Sequence, residues 1–242
     1  MPTPLDPGPF IYAHRGDFAH ARGNSIEAFT LAAEAGADGI ELDVRRTSDG
    51  RLILAHDASH PALGPLSERT YHEIREADPL IATLAEGLAA IPGSMYVNGE
   101  IKNHRGEPGF DSSRGIVDQT IAELENRDDL KRILLSSFDP SSVRRAGVVS
   151  PDVLRGLLVT DPTPDWVAIR WAKTARHHAV HLPRTHLLKN PSRTVKRANR
   201  AGLKVVVWTV DDPDEIADLF QAGVVAVVTN DPAVGRAVID AL

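Results

Sequence analysis

Short apolar runs alternate with longer amphipathic segments along the whole chain. The apolar runs are rich in Val, Ile and Leu and are bounded by turn-forming residues, a pattern that is typical of β-strands. The pattern predicts strands at Phe10–Ala13, Gly39–Val44, Met95–Ile101, Arg132–Ser136, Leu154–Val159, Val180–Leu182, Lys204–Trp208 and Val225–Thr229.

The segments between these strands have apolar residues spaced three to four apart, as on one face of a helix. At the start of the first segment, Asn24 and Glu27 have the spacing of a capping box. Several segments are followed by glycine, which is common where a helix ends. The predicted helices are Ser25–Ala35, Asp118–Asn126, Asp165–Ala175, Pro191–Ala201, Asp214–Ala222 and Pro232–Leu242.

About eight strand–helix units follow one another in the 242 residues, and this succession predicts an α/β fold of the (β/α)8 TIM barrel type. A doubly wound open sheet is the alternative. Neither a G-x-G-x-x-G motif nor a Walker loop is present, which disfavours dinucleotide-binding and P-loop functions. We expect residues 1–242 to form a single barrel domain.

Two stretches after the second strand depart from the repeating pattern. Asp49 and Gly50 predict a hairpin turn that leads into a further strand at Leu52–Ala55. Residues 57–93 interrupt the alternation of strands and helices, and one helix is predicted around Leu80–Ala90. We expect this segment to be a short insertion over the mouth of the barrel.

The composition is ordinary for a globular protein, with 42% hydrophobic and 25% charged residues. A net charge of −6 gives no electrostatic reason to bind nucleic acid or an anionic membrane surface. No run approaches the roughly 20 apolar residues that span a bilayer, and Met1–Pro9 lacks the pattern of a signal peptide. We expect a cytoplasmic protein without stable membrane association.

The chain has no cysteine, so carboxylate, imidazole or backbone oxygen groups must hold any metal ion. Glu41 and Asp43 alternate with apolar residues and therefore share one face of the predicted second strand. Neighbouring carboxylates repel each other when they are buried, and a divalent cation removes that repulsion. An exposed strand with solvated acids is the alternative interpretation.

Reactive residues recur at the carboxyl ends of the predicted strands, where the site of a (β/α)8 barrel lies. His14 and Arg15 follow the first strand, His56 follows the hairpin, and Glu100 and Lys102 close the third strand unit. Each is a weak signal alone, since a single histidine or lysine is more often structural. Their coincidence at one end of one barrel predicts a common site.

These residue types suit the cleavage of a phosphodiester. Glu41, Asp43 and Glu100 offer oxygen ligands for Mg²⁺ or Ca²⁺. Arg15 and Lys102 supply positive charge for a phosphate, the former as a planar fork and the latter as a point charge.

His14 and His56 titrate near neutrality. One can take a proton from an attacking hydroxyl, and the other can give a proton to a leaving oxygen. The remaining histidines, among them His177, His178 and His181, match no zinc-binding spacing. We expect His181 to be structural, and a position facing the barrel mouth is the alternative.

Several motifs follow one another in order from the first strand to the last. They are His14-Arg15-Gly16, Glu41-Leu42-Asp43-Val44, Asp49-Gly50, His56-Asp57, Glu100-Ile101-Lys102, Ser137-Phe138, Trp208-Thr209-Val210 and Thr229-Asn230-Asp231-Pro232. Over nearly its whole length, the chain thereby resembles the glycerophosphodiester phosphodiesterase family.

The resemblance implies a (β/α)8 barrel that hydrolyses glycerophosphodiesters, which are small molecules, to glycerol 3-phosphate and an alcohol with one divalent metal ion. It implies that the substrate's own glycerol hydroxyl attacks phosphorus first, and that water then opens the resulting cyclic phosphate. The roles it implies are metal binding by Glu41, Asp43 and Glu100, acid–base catalysis by His14 and His56, and substrate binding by Arg15, Lys102 and Trp208.

The chain departs from the family pattern at several positions. Gly23 stands where the family usually has glutamate, and Asn230 stands where it usually has aspartate. Asp211 replaces the usual asparagine, and we expect it to add negative charge near an anionic substrate. Two alternative functions are a lysophospholipase D or lyase of the same barrel family and a barrel that binds a phosphorylated ligand without turnover.

Overall fold

The computed structural model describes residues 3–6, 8–126 and 130–242, so Met1, Pro2 and Pro7 of the N-terminal segment lie outside the described residues. The strands in the described part are β1 (Phe10–His14), β2 (Gly39–Arg46), β3 (Leu52–Leu54), β4 (Ser59–His60), β5 (Gly64–Pro65), β6 (Tyr96–Ile101), β7 (Ile133–Ser137), β8 (Leu154–Leu158), β9 (Ala179–Pro183), β10 (Lys204–Trp208) and β11 (Ala226–Thr229).

Helices separate most of these strands. The α-helices are α1 (Ile26–Glu34), α2 (Tyr71–Ala77), α3 (Leu84–Ala90), α4 (Gly115–Asn126), α5 (Pro140–Val149), α6 (Asp165–Thr174), α7 (Pro191–Arg200), α8 (Pro213–Gln221) and α9 (Pro232–Ala241). Short 3-10 helices lie at Leu66–Glu68, Leu130–Arg132 and Arg184–His186.

Eight parallel strands in the described residues close into a barrel. The order around the barrel is β1, β2, β6, β7, β8, β9, β10 and β11, and β1 pairs with both β2 and β11. This closure confirms the predicted (β/α)8 barrel and excludes the open sheet. The register places His14 beside Glu41, and Asp43 beside Glu100, which brings predicted site residues to one end of the barrel.

Apolar residues form one layer between the strands and the helices and a second layer inside the barrel. On β2, Ile40, Leu42 and Val44 face the helices and are fully buried with residues of α1, α3 and α4. A smaller cluster that includes Tyr12 and Val206 fills the barrel interior. Since side chains alternate along a strand, the polar residues Glu41 and Asp43 point into the barrel.

The start of α1 differs from the predicted capping box. Ser25 is the residue that caps the helix, and its hydroxyl accepts a hydrogen bond from the backbone N–H of Ala28 at 3.1 Å. Asn24 adopts a positive φ of 61° and directs its amide towards the barrel end instead. The prediction of Asn24 as the cap was wrong by one residue because its side chain bonds to Asp43.

The predicted hairpin after β2 is confirmed. β2 and β3 pair in antiparallel fashion, and the backbone N–H of Thr47 donates to the Arg51 carbonyl at 2.9 Å. Gly50 has a φ of 79°, a conformation that favours glycine. The hairpin carries the chain from the barrel wall back to the site, where it reaches His56.

The segment 57–93 contains the β4–β5 pair and the helices α2 and α3. The sequence prediction included only the second of these helices, which begins at Leu84 and packs on the outer layer with Leu88. Its start is fixed by a capping box between Thr83 and Glu86. The description of this segment as an insertion over the barrel mouth stays a prediction.

Within the described residues, every helix is too short or too polar to cross a lipid bilayer.

The helix α5 was not predicted from the sequence. It begins at Pro140, and the Asp139 side chain caps its start.

Candidate active site

Three carboxylates lie together at the carboxyl ends of β2 and β6. Glu41 and Asp43 belong to β2, and Glu100 is the register partner of Asp43 on β6. Each of them offers one oxygen atom that lies within 4.8 Å of the other two. The three residues are 6%, 1% and 6% exposed, so water screens their mutual repulsion poorly.

Two cationic side chains and one amide face this cluster. Lys102 Nζ lies 3.0 Å from Asp43 Oδ1 and 2.8 Å from Glu100 Oε1. Arg15 Nε lies 3.3 Å from Asp43 Oδ2. Asn24 Nδ2 donates to Asp43 Oδ2 at 2.8 Å, and Asn24 Oδ1 accepts from the Asp43 backbone N–H at 3.0 Å. These contacts fix the position of the Asp43 carboxylate.

The pKa values of the three carboxyls differ. Burial, and then the charges of Asp43 and Glu100, raise the pKa of Glu41 well above its usual value. Burial and the Asp43 charge raise the pKa of Glu100 to about 7. Burial also acts to raise the pKa of Asp43, but the two neighbouring cations and the Asn24 amide outweigh it and lower that pKa.

The donor set fits a hard divalent cation. Three carboxylates face two cationic side chains, so the ionised cluster keeps an excess negative charge. Among the described residues, no cation lies within ion-pair distance of Glu41, whose Oε2 accepts one hydrogen bond from the Arg15 backbone N–H at 3.1 Å. Carboxylate oxygens are the ligands that Mg²⁺ and Ca²⁺ prefer. Glu41, Asp43 and Glu100 can therefore hold one such ion.

His14 contacts the end of β11. Its Nδ1 lies 2.7 Å from Asn230 Oδ1. Asn230 Nδ2 donates to Asp211 Oδ2 at 2.8 Å, and this bond orients the amide so that its oxygen faces His14. The proton of the neutral imidazole therefore lies on Nδ1, and Nε2 is left as an acceptor. Burial, followed by the Arg15 charge, lowers the pKa of His14.

Asp211 supports this arrangement from behind Asn230. Its Oδ1 accepts hydrogen bonds from the Asn230 backbone N–H at 2.7 Å and from the Thr229 hydroxyl at 2.9 Å. The expectation that Asp211 adds charge beside the substrate is therefore corrected, because its carboxylate faces these donors and does not line the cavity. The departures at positions 211 and 230 together place a neutral amide, and not a carboxylate, against His14.

His56 lies on the loop after β3. Its Nδ1 is 2.7 Å from Asp57 Oδ1. Arg45 donates to the His56 carbonyl from Nε at 3.0 Å and from Nη2 at 2.6 Å, and it also pairs with Glu107. Burial, followed by the Lys102 charge, lowers the pKa of His56. Arg45 was not among the predicted site residues, although its place two residues after Asp43 puts it on the same strand face.

The predicted site residues surround one cavity of about 300 Å³. Of the eight predicted site residues, seven line the cavity in the described part of the chain. The eighth, Asp43, lies behind them and contacts Arg15 and Lys102. The seven are His14, Arg15, Glu41, His56, Glu100, Lys102 and Trp208.

The cavity is also lined by residues that were not predicted as site residues. Two of them are Phe138 and His104, whose rings pack edge to face with centroids 5.2 Å apart. Phe138 also packs edge to face on the predicted residue Trp208, with centroids 5.5 Å apart. Asn98 and His181 also reach the cavity. The position of Asn98, two residues before Glu100, was an available signal, and so was the place of His181 between the apolar residues Val180 and Leu182 on β9. That His181 has a structural role stays a prediction.

Gly23 lies beside Arg15, where the family pattern led us to expect an acid. A Cβ atom at this position would lie 3.0 Å from both Arg15 Cβ and Phe18 Cδ2. The Arg15 guanidinium packs over the Phe18 ring at 5.5 Å from its centroid. Phe18 therefore occupies the space beside Arg15, and a side chain at position 23 would displace one of them.

An apolar groove of about 300 Å³ adjoins the cavity. It shares His104, Phe138 and Leu158 with the cavity and continues to Trp171, which is 50% exposed. The charged cluster and this groove are thus joined through shared aromatic side chains.

Comparison with known proteins finds a family model and relatives that match most of the chain. The model of the "Glycerophosphoryl diester phosphodiesterase family" matches residues 14–234. A "Glycerophosphodiester phosphodiesterase" from Caldanaerobacter subterraneus is 31% identical, and the alignment covers 92% of this chain and 94% of that protein.

Solved structures show the same fold. A glycerophosphodiester phosphodiesterase from Thermotoga maritima superposes with a TM-score of 0.79 at 24% identity, covering 96% of this chain and 97% of the other. A phosphodiesterase from Oleispira antarctica, solved in complex with the product sn-glycerol-3-phosphate, superposes with a TM-score of 0.79 at 23% identity over 96% and 97% of the two chains.

The Asn24 contact with Asp43 generates a stability prediction. In Asn24→Ala, the buried backbone N–H of Asp43 loses its hydrogen-bond partner and Asp43 Oδ2 keeps only its contact with Arg15, which costs about 1–3 kcal/mol of unfolding free energy. Urea unfolding measures this loss. Asn199→Ala, an exposed change on α7, is the matched control, and an equal effect of the two substitutions would contradict the assigned role.

Proposed function

Because the chain belongs to the glycerophosphoryl diester phosphodiesterase family, it is a phosphodiesterase that hydrolyses glycerophosphodiesters, and we propose that it does so at the cavity described above. In this proposal one divalent cation and two histidines carry the reaction. The observation that carries the proposal is the shared cavity, which brings His14 and His56 together with the three-carboxylate cluster.

The metal ligands in this proposal are Glu41, Asp43 and Glu100. Their fit to a hard cation rests on their burial and on the negative charge that Arg15 and Lys102 leave uncompensated. When bound, a divalent cation stabilises negative charge that develops on the phosphoryl oxygens. Mg²⁺ and Ca²⁺ both suit such an oxygen donor set.

Arg15 and Lys102 bind the substrate phosphate in this proposal. Burial opposes the charge of Lys102, but Asp43 and Glu100 outweigh burial and raise its pKa, so the ammonium stays protonated. Arg15 is 3.3 Å from Asp43 and is held over Phe18. The two cations thus border the carboxylate cluster, where a phosphate bound beside the metal would share them.

We assign His14 as the base and His56 as the acid. His14 has Nε2 free to accept because its Nδ1–H donates to Asn230, and it takes the proton from the attacking oxygen. That oxygen bonds to phosphorus while the bond from phosphorus to the leaving oxygen breaks. His56, whose Nδ1 lies 2.7 Å from Asp57 Oδ1, gives its proton to the leaving alcohol.

A lysophospholipid is a second candidate substrate, favoured by the apolar groove that continues from Phe138 to Trp171. The groove offers an acyl chain an apolar path that leaves the cavity at its aromatic edge. In this case the metal cluster and both histidines keep their roles, and only the length of the substrate changes.

The expected cytoplasmic location belongs to the proposal as well.

The proposal predicts that glycerophosphocholine is converted to glycerol 3-phosphate and choline, and that EDTA abolishes the activity. We expect His14→Ala and His56→Ala each to reduce kcat/KM by about 10²- to 10⁴-fold, because each removes a proton-transfer group. Product analysis by phosphorus NMR, with Mg²⁺, Ca²⁺ and Mn²⁺ in parallel, measures the reaction.

The control for these variants is His72→Ala, since the His72 side chain is 79% exposed on α2. A His14→Ala or His56→Ala enzyme with the wild-type rate would contradict the acid–base assignment.

Lysophosphatidylcholine is tested in the same assay. Its faster cleavage would favour the second candidate substrate, and a stable cyclic phosphate would indicate a lyase.

The contact of His14 with a neutral amide generates a prediction about pH dependence. In the double variant Asp211→Asn/Asn230→Asp, a carboxylate faces His14 Nδ1, stabilises the imidazolium and raises the pKa of His14. Since the base must be unprotonated, activity at acidic pH falls, and the acidic limb of the kcat/KM profile moves about one unit or more towards higher pH.

The control is Asp214→Asn, which removes a nearby charge at the start of α8 without contacting Asn230. An unchanged acidic limb in the double variant, with normal folding, would show that His14 is not the base whose protonation limits the rate.

A further inference from the structure

The positive charge of the chain is concentrated on one side of the barrel. Residues 165–204, from the start of α6 to the first residue of β10, contain ten of the 27 Lys and Arg residues but only one of the 33 Asp and Glu residues. The rest of the chain therefore has 17 basic and 32 acidic residues. The net charge of −6 gives no reason for binding to an anionic membrane surface, but it averages over this local excess.

Most of these cations have no acidic partner. Arg197 pairs with Asp165 at 2.8 Å, and Arg184 pairs with Glu215 at 2.6 Å. The other eight are exposed and make no ion pair within the described residues; they are Arg170, Lys173, Arg176, Lys189, Arg193, Lys196, Arg200 and Lys204. Positive charge that the protein does not neutralise attracts an anionic partner.

Two neighbouring helices arrange these cations on one surface. The ion pair between Arg197 and Asp165 joins α7 to α6, and these helices follow the adjoining strands β9 and β8. Residues three, four or seven apart lie on the same face of a helix. The exposed residues with this spacing form a surface that we call the basic face, and they are Trp166, Arg170 and Lys173 on α6 and Arg193, Lys196 and Arg200 on α7.

The basic face ends at the next helix, which is acidic. The helix α8 contains Asp214, Glu215 and Asp218 and has no Lys or Arg. Opposite charges on adjoining sides make the protein dipolar. A negatively charged surface therefore orients the protein with the basic face towards it and α8 away from it.

Exposed indole rings lie on and beside the basic face. Trp166 is 54% exposed, and Trp171 on the same helix is 50% exposed. Tryptophan is enriched at membrane–water interfaces because its ring is apolar and its N–H is polar. Trp171 also lines the apolar groove, which shares Phe138 with the active-site cavity. An apolar path from this side of the barrel to the cavity suits a lipid and has no use for a nucleic acid.

We propose that the basic face binds reversibly to the surface of a bilayer that contains anionic phospholipids. The cations of α6 and α7 contact the lipid phosphates, and the Trp166 ring enters the interface between the headgroups and the acyl chains. This binding brings the end of the groove at Trp171 close to lipid. It does not depend on the roles assigned to the catalytic residues.

Co-sedimentation with lipid vesicles tests this proposal. The vesicles contain phosphatidylcholine alone, or phosphatidylcholine with about one third phosphatidylglycerol. We expect the wild type to bind only the anionic vesicles and to be released at about 0.5 M salt, because salt screens the attraction. Arg170→Gln/Lys196→Gln removes one cation from each helix. We expect it to weaken binding about tenfold or more, since each cation near an anionic membrane contributes about fivefold.

The matched control is Arg51→Gln/Lys131→Gln, which changes the net charge by the same amount. Both side chains are exposed, lie outside the basic face and make no ion pair in the described part of the chain. We expect this variant to bind the anionic vesicles within about twofold of the wild type, because its basic face is intact. Both double variants keep the wild-type rate on soluble glycerophosphocholine, because none of the four residues lines the cavity.

Trp166→Ala and a nucleic acid probe separate a lipid from other anionic partners. We expect Trp166→Ala to weaken binding to the anionic vesicles by about threefold or more, because alanine buries much less apolar surface in the interface. A labelled single-stranded oligonucleotide is titrated at the same ionic strength, and we expect it to bind more weakly than the vesicles.

The proposal is overturned if the wild type does not bind the anionic vesicles, or if the two double variants weaken binding equally. Tighter binding of the oligonucleotide than of the vesicles also overturns it and assigns the basic face to a nucleic acid. Vesicle binding is measured without turnover. A wild type that binds vesicles but does not cleave glycerophosphocholine therefore contradicts the proposed function and supports the membrane-binding face.

Discussion

The repulsion among three buried carboxylates on two adjoining strands is the constraint on which the rest of the site depends. Glu41, Asp43 and Glu100 are nearly inaccessible to water, so their charges must be balanced locally. Lys102 and Arg15 provide part of that balance. Burial, and then the remaining negative charge, raise the pKa values of Glu41 and Glu100. The same negative charge leaves a place that a divalent cation fits.

The fold supplies this arrangement through register. The alternation along β2 sends apolar side chains to the helices and acids to the interior, and the pairing of β2 with β6 sets Asp43 beside Glu100. The alternation is a local pattern, and the carboxyl ends of all barrel strands meet at one end, which is why the sequence predicts the barrel, the strand positions and the grouping of the acids. The register that sets Asp43 beside Glu100 joins distant residues and is known only from the structure. The hairpin after β2 is predictable for the same reason, from Asp49 and Gly50.

The contacts that a sequence does not reveal are those between residues distant in the chain. Asn24 has the sequence appearance of a helix cap but bonds to Asp43, 19 residues away. Asp211 has the appearance of an added charge in the site, yet it orients Asn230, which in turn faces His14. His181 reaches the cavity only because a glycine on the next strand leaves space for its ring. Each case depends on three-dimensional neighbours and not on local spacing.

The most direct test of the metal cluster is anomalous diffraction from crystals that contain Mn²⁺ in place of Mg²⁺ or Ca²⁺. The account predicts one anomalous peak with oxygens of Glu41, Asp43 and Glu100 within about 2.6 Å. A crystal with saturating Mn²⁺, no peak at this position, and Lys102 still bridging Asp43 and Glu100 would contradict it.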